Sequence, residues 1–122
     1  MKKILLKKNL IIFGNKNEIE PYINDKIAKE FYKIIHTENS VKSTDSPLEA
    51  AKRGKETSLW LAIECLKKDE AHAMVSAGNT GALLVMSKLI LKTLEGVDKP
   101  ALAGLWPNKS GIHIVLDLGA NI

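Results

Sequence analysis

Arginine is almost absent from this chain: of eighteen basic residues only Arg53 is one, and the rest are lysines. Surfaces that grip nucleic acid favour the bidentate guanidinium fork and interleave it with aromatic rings for stacking. Aromatics make up only 5% of the residues, so the net charge of +4 does not describe a nucleic-acid-binding protein, and no such partner is expected. A basic face remains able to attract an acidic one. Cysteine is down to Cys65, which excludes an internal disulfide and suits a reducing compartment. Its neighbours Leu61, Ile63 and Leu66 mark it as a buried core thiol rather than a nucleophile. Long uncharged apolar runs are missing too; the most apolar segment carries Lys88 and Lys92, and nothing reads as a membrane span. The start of the chain looks superficially like a signal peptide. Lys7, Lys8 and Asn9 interrupt it, however, and no small-residue cleavage site follows. A soluble, cytoplasmic protein is the expectation. His72 and His113 lack carboxylate or cysteine partners at ligand spacing, so neither a metal nor a cofactor is expected.

What is present is an aliphatic, 45% apolar composition over 122 residues, enough for one domain at most. Leu10–Phe13 is a compact apolar run closed by Gly14-Asn15, a buried strand ending in a turn. A short helix is expected from Glu18 to Asn24, with Pro21 in its first turn. From Lys26 to His36 both helix and strand fit; a strand centred on Lys33–His36 is favoured because a polar loop, Glu38–Ser46, follows. Ser46, Pro47 and Glu49 then read as N-cap, first helical residue and third residue of a helix that runs to Arg53-Gly54. A second helix begins near Thr57 or Ser58; its Leu59, Ala62, Ile63 and Leu66 recur at three- and four-residue steps.

Beyond that helix the pattern predicts a strand over Ala71–Ser76, a glycine turn, and a helix from about Thr80 to Leu94, apolar almost all round and therefore covered on more than one side. A further strand is expected over Ala101–Leu105 and a turn over Trp106–Gly111. Ile112–Leu116 reads as a strand of the buried parallel type. That last strand delivers Asp117-Leu-Gly-Ala-Asn121 to its carboxyl end just before the chain stops. Strands alternating with helices place a site outside the carboxyl ends, and two polar ends, Ser76–Gly81 and Asp117–Asn121, arrive there together. The expected fold class is α/β, a mostly parallel sheet with helices on both faces. A single partial domain over residues 1–122, cut in mid-fold, is the expectation.

The glycine turn Ser76-Ala-Gly-Asn-Thr-Gly-Ala82 carries the chemistry. Gly78 and Gly81 lack a Cβ, so backbone and ligand can approach closely. Asn79 or Thr80 can cap the helix, and the unpaired N–H groups of the first helical turn sit at the positive end of its dipole. A phosphate or carboxylate cradle is one reading. The other is a turn of this kind used for packing alone, because neither the P-loop nor the three-glycine dinucleotide pattern is present.

Three segments in this order resemble the amino-terminal half of phosphate acyltransferases of the PlsX type: His36-Thr37 with Asp45-Ser46-Pro47-Leu-Glu49-Ala50, the run Ser76–Ala82, and Asp117–Asn121. The stretch Lys99-Pro100-Ala101-Leu102-Ala103 fits the same pattern, and the likeness runs from about Leu10 to Ile122. The resemblance implies transfer of an acyl group from acyl carrier protein to inorganic phosphate, giving acyl phosphate for phospholipid synthesis. It implies a truncated form of the isocitrate dehydrogenase-like sandwich, a homodimer, and peripheral membrane association. Two departures stand out. The Asp-Ala-Met-Gly-Gly-Asp loop expected after the first strand has no counterpart here, and neither has the carboxyl-terminal half. A non-catalytic remnant that at most binds phosphate or carrier protein is therefore the alternative.

On that resemblance, Ser76, Gly78, Asn79, Thr80 and Gly81 are the candidate phosphate or oxyanion site, with Asp117 and Asn121 lining the neighbouring strand end. Asn79 and His36 are the candidate catalytic residues. Asp117 also reads as a cap or turn residue, and His36 as a satisfied structural histidine. Asp45 and Ser46 suit capping; Lys55, Thr57 and Ser58 approach the ligand if their helix start faces the cleft. Trp60 and Trp106 read as core or interface residues.

Overall fold

The computed structural model describes residues 9–23 and 27–116 of the chain. Two short strands, β1 (Leu10–Gly14) and β2 (Tyr32–His36), pair in parallel with Leu10 opposite Tyr32 and Gly14 opposite His36. Helix α1 (Lys16–Ile23) is the crossover segment between them. It starts two residues before the expected position, because Asn15 accepts the Asn17 N–H through its side chain at 3.0 Å and the Glu18 and Ile19 N–H groups through its carbonyl. Pro21 consequently lies past the first turn, where its missing N–H removes one helical bond.

Three helices make the core. Helix α2 (Pro47–Lys52) has Ser46 at its N-cap and Pro47 at its first position, as the sequence indicates. A 3-10 turn, Gly54–Glu56, leads into α3 (Ser58–Lys67), whose N-cap Thr57 accepts the Trp60 N–H. Helix α4 (Thr80–Leu91) crosses both. Ala50, Ala51, Leu59, Ile63, Ala82, Met86 and Ile90 are buried between them. Small residues set the spacing. A Cβ on Gly81 would lie 2.6 Å from the Pro47 ring, and one on Gly54 would lie 2.7 Å from the Met86 methyl. α3 also packs on β1, which joins the helical core to the parallel pair.

Three expectations give way. Ala71–Ser76 is irregular rather than a strand, and Val75 stands 97% exposed. A strand exists only as a partner in a ladder, and no strand of the described residues lies beside this segment. The last two strands, β3 (Ala103–Asn108) and β4 (Gly111–Leu116), are an antiparallel hairpin separate from the parallel pair. Asn108 opposite Gly111 leaves only Lys109 and Ser110 as the link, far too short for a parallel crossover. Asn108 tightens the turn by accepting the Ser110 N–H at 2.7 Å. Trp106 and Pro107 are thus strand residues, Ile112 and Ile114 are each 70% exposed, and β4 is not of the buried parallel type. The described residues form a mixed α/β arrangement, not one mostly parallel sheet. Finally, α4 ends at Leu91, three residues early, where Lys92 takes φ +66°. It is fully buried along one stripe, Ala82, Met86 and Ile90, with Leu83 and Val85 partly buried against the core and Leu89 58% exposed. Among the described residues no helix is long and apolar enough to cross a membrane.

The orientation of α4 yields a stability contrast. Met86→Ala empties a fully buried position and should cost about 2–5 kcal/mol. Leu89→Ala on the open side should change stability by less than about 0.5 kcal/mol. Urea midpoints of the two variants test this. Cys65 supplies a second test. Burial first, and Glu70 beside it second, push its thiol pKa up. The folded chain disfavours the thiolate, so stability should fall as pH rises past the ordinary thiol range. Thiol labelling at about pH 8 should be slow in the native chain and fast in urea.

Candidate functional site

The amino-terminal end of α4 is organised by one side chain. Asn79 sits in extended backbone at the N-cap, where its Oδ1 accepts the Ala82 N–H at 2.9 Å and its carbonyl accepts the Leu83 N–H at 3.0 Å. Its Nδ2 reaches across to the loop before α2 and donates to the carbonyls of Asp45 (2.9 Å), Lys42 (3.1 Å) and Ser43 (3.4 Å). Both ends of the amide are therefore committed to backbone. Asn79 fastens the cradle to the loop.

The other cradle residues divide by what the fold asks of them. Ser76 Oγ accepts the Gly78 N–H at 3.2 Å, closing a small turn. Gly81 is required by contact with Pro47. Gly78 is not required by packing: an added Cβ would meet only Ser76 Oγ, at an ordinary 3.4 Å, and the position is exposed. Thr80 and Gly81 open the helix, and their N–H groups precede the first possible intrahelical bond. These two donors lie beside the exposed Gly78.

Beside it lies an open cleft of about 410 Å³. One wall is the loop that Asn79 holds, contributing Asn39, Ser40, Val41, Lys42 and Asp45; the other is the end of α2 and the 3-10 turn, with Arg53, Lys55, Glu56 and Thr57. Hydrogen bonds tie the two walls. Thr37 Oγ1 donates to the Glu56 carbonyl at 2.7 Å and accepts the Asn39 N–H at 3.2 Å, while the Ser58 N–H donates to the Asn39 carbonyl at 3.0 Å. Asn39 Nδ2 donates to Glu56 Oε2 at 3.5 Å. Buried Thr57 donates its hydroxyl to the Gly54 carbonyl at 2.7 Å. Asp45 Oδ2 accepts the Lys42 N–H at 2.9 Å, so Asp45 closes its own loop rather than capping α2. Ser46 holds the N-cap position without a side-chain bond; its carbonyl accepts the Ala50 N–H.

His36 ends β2, where its Nδ1 accepts the Lys16 N–H at 3.1 Å. That contact makes it a cap for α1 and leaves the proton of the neutral ring on Nε2. Asp117 and Asn121 lie outside the described residues. Trp60 packs against the core and donates to Glu64 at 3.0 Å, whereas Trp106 is 62% exposed on the hairpin. Among the described residues no three His, Cys, Asp or Glu side chains converge as a metal site.

The sequence reading missed Asn39, Lys42 and Arg53 as site residues. Asn39 and Lys42 carry no local signal; they matter because Ser58, Glu56 and Asn79, distant in sequence, hold their loop. Arg53 did have a signal, as the one arginine among seventeen lysines.

Comparison with known proteins bears on this geometry. A phosphate acyltransferase of Pelagibacter ubique is 60% identical over 111 residues, which is 91% of this chain and 33% of that protein. Phosphate acyltransferases of Bradyrhizobium diazoefficiens and Rhodospirillum rubrum are 48% and 46% identical, again over about nine-tenths of the chain and 32% of theirs. The chain thus spans about a third of the length of the curated relatives it matches. The model of a family described as fatty acid synthesis protein matches residues 5–122, and the chain belongs to that family.

Proposed function

We propose that this chain supplies the phosphate-binding part of a phosphate acyltransferase, which joins inorganic phosphate to the acyl group of acyl-(acyl carrier protein) and releases acyl phosphate and carrier protein. The reading rests on the names of relatives up to 60% identical and on one structural observation: Gly78 is an open glycine that neither packing nor backbone angle demands. A glycine without a packing reason, next to unpaired helix N–H groups, suits close approach of an anion. The reaction needs little else from the protein. Phosphate is itself the nucleophile, so positioning and stabilisation of developing oxyanion charge are the main tasks.

In this scheme the N–H groups of Thr80 and Gly81 receive phosphate or the thioester oxyanion, and Ser76 shapes the turn. Asn79, whose amide is committed to the loop, acts as a positioning residue. His36 offers its Nε2–H as a proton donor, and Asp117 and Asn121 are assigned to the site on the family resemblance alone. The complete enzyme has the isocitrate dehydrogenase-like sandwich, works as a cytoplasmic homodimer and touches the membrane peripherally. A second reading, a chain that binds phosphate or carrier protein without turnover, is favoured by the commitment of Asn79 and His36 to structural hydrogen bonds.

Acyl phosphate formation decides between them. It is measured with the purified chain alone and together with the remaining two-thirds of the Pelagibacter relative. Turnover in either sample supports the enzyme; none in either, with the intact relative active in parallel, supports the binding remnant. Gly78→Ala should lower kcat/KM about tenfold or more while moving stability by less than about 0.5 kcal/mol. Gly81→Ala should instead destabilise by up to about 2 kcal/mol, because overpacking against Pro47 outweighs the roughly 1 kcal/mol gain in helix propensity.

A further inference from the structure

Three cations surround the cleft beside the cradle: Lys42, Arg53 and Lys55. All three are exposed, and among the described residues none takes part in an ion pair. The two carboxylates in the same lining each accept one hydrogen bond from a wall residue. Asp45 accepts the Lys42 N–H and Glu56 accepts the Asn39 amide. Three cations against two carboxylates leave the lining with one net positive charge, and each carboxylate has an oxygen bonded into a wall. Those walls are built rather than incidental, since Thr37, Asn39, Thr57 and Asn79 each hold a backbone segment in place. The only arginine of the chain stands in this lining, and a guanidinium recognises tetrahedral oxyanions bidentately where lysine is a point charge.

We propose that this cleft is a phosphate-group subsite, gripped by Arg53 and Lys55 with Lys42 opposite, distinct from the helix N–H donors of the cradle. The proposal deepens the acyl-transfer reading. Two sources share the required chemistry. One is free inorganic phosphate; the other is the phosphodiester by which a carrier protein bears its pantetheine arm. The cleft adjoins the cradle through Lys42 and Asp45, which line one and bond to Asn79 of the other. A group seated here would therefore lie next to the acyl-transfer centre.

The test is calorimetric titration of the chain with sodium phosphate and, separately, with carrier protein with and without its arm. The variants are Arg53→Gln with Lys55→Gln, the charge-keeping Arg53→Lys, and Lys52→Gln as a basic control on α2 outside the lining. Native folding of each is checked by the urea midpoint. The double variant should weaken binding about tenfold or more, Arg53→Lys should weaken it by a smaller factor, and Lys52→Gln should leave it unchanged. A loss read with sodium phosphate identifies free phosphate as the occupant. A loss read only with the arm-bearing carrier identifies the phosphodiester. Equal binding by parent and double variant for every ligand, or an equal loss in Lys52→Gln, overturns the proposal. Selective loss of binding in a chain that shows no acyl transfer even when complemented would leave the subsite standing and remove the acyl-transfer reading.

Discussion

A single amide, that of Asn79, holds the site together. It caps α4 through Oδ1 and ties down three carbonyls of the loop before α2 through Nδ2. An N-cap alone is worth about 1 kcal/mol, and each further net hydrogen bond about 0.5–1.5 kcal/mol. The loop from Asn39 to Asp45 has no ladder or helix of its own, so its position depends on Asn79 at one end and on Thr37 and Asn39 at the other. Move the amide and the cradle loses its cap while the cleft loses a wall.

Direct packing of α2 on α4 brings that amide to the loop. Gly81 lets Pro47 rest on the first turn of α4, and Ala50, Ala51 and Ala82 keep the interface thin. Gly54 plays the matching part below, admitting the Met86 methyl and the Trp60 ring. Packing density in such a contact leaves no slack for a methyl group. Of the two glycines in the turn, one answers to this packing and the other does not. Their pairing in sequence hides two different causes.

Much of the helical part was legible because its signals are local. Pro47 after Ser46, Thr57 ahead of an amphipathic run, and Asn79 before an apolar one each specify a helix start through groups within three residues of one another. The parallel pairing of β1 and β2 agrees with the expected alternation of strands and helices. What failed was non-local. Ala71–Ser76 has strand composition, but a strand is settled by its neighbour. Ile112–Leu116 is aliphatic enough for a buried parallel strand, yet a two-residue link commits it to a hairpin. In the site, the cap role of Asn79 could be read, whereas its second role could not, since its partners lie thirty-four to thirty-seven residues away.

On the proposed reading, the arrangement separates two kinds of anion recognition that are often found in one loop. Backbone N–H groups at the start of α4 are fixed by the helix, cannot reorient, and suit charge that develops at one point during a reaction. Flexible cations around the adjoining cleft suit a phosphate that arrives and leaves, because their own solvation is only partly given up. The Asn79 amide joins the two without using either set of donors. A change at Gly78 can therefore reach only the first kind and a change at Arg53 only the second, while a change at Asn79 disturbs both through structure. Loss of function at Asn79 would for that reason say least about chemistry, although it is the most conspicuous polar residue of the turn.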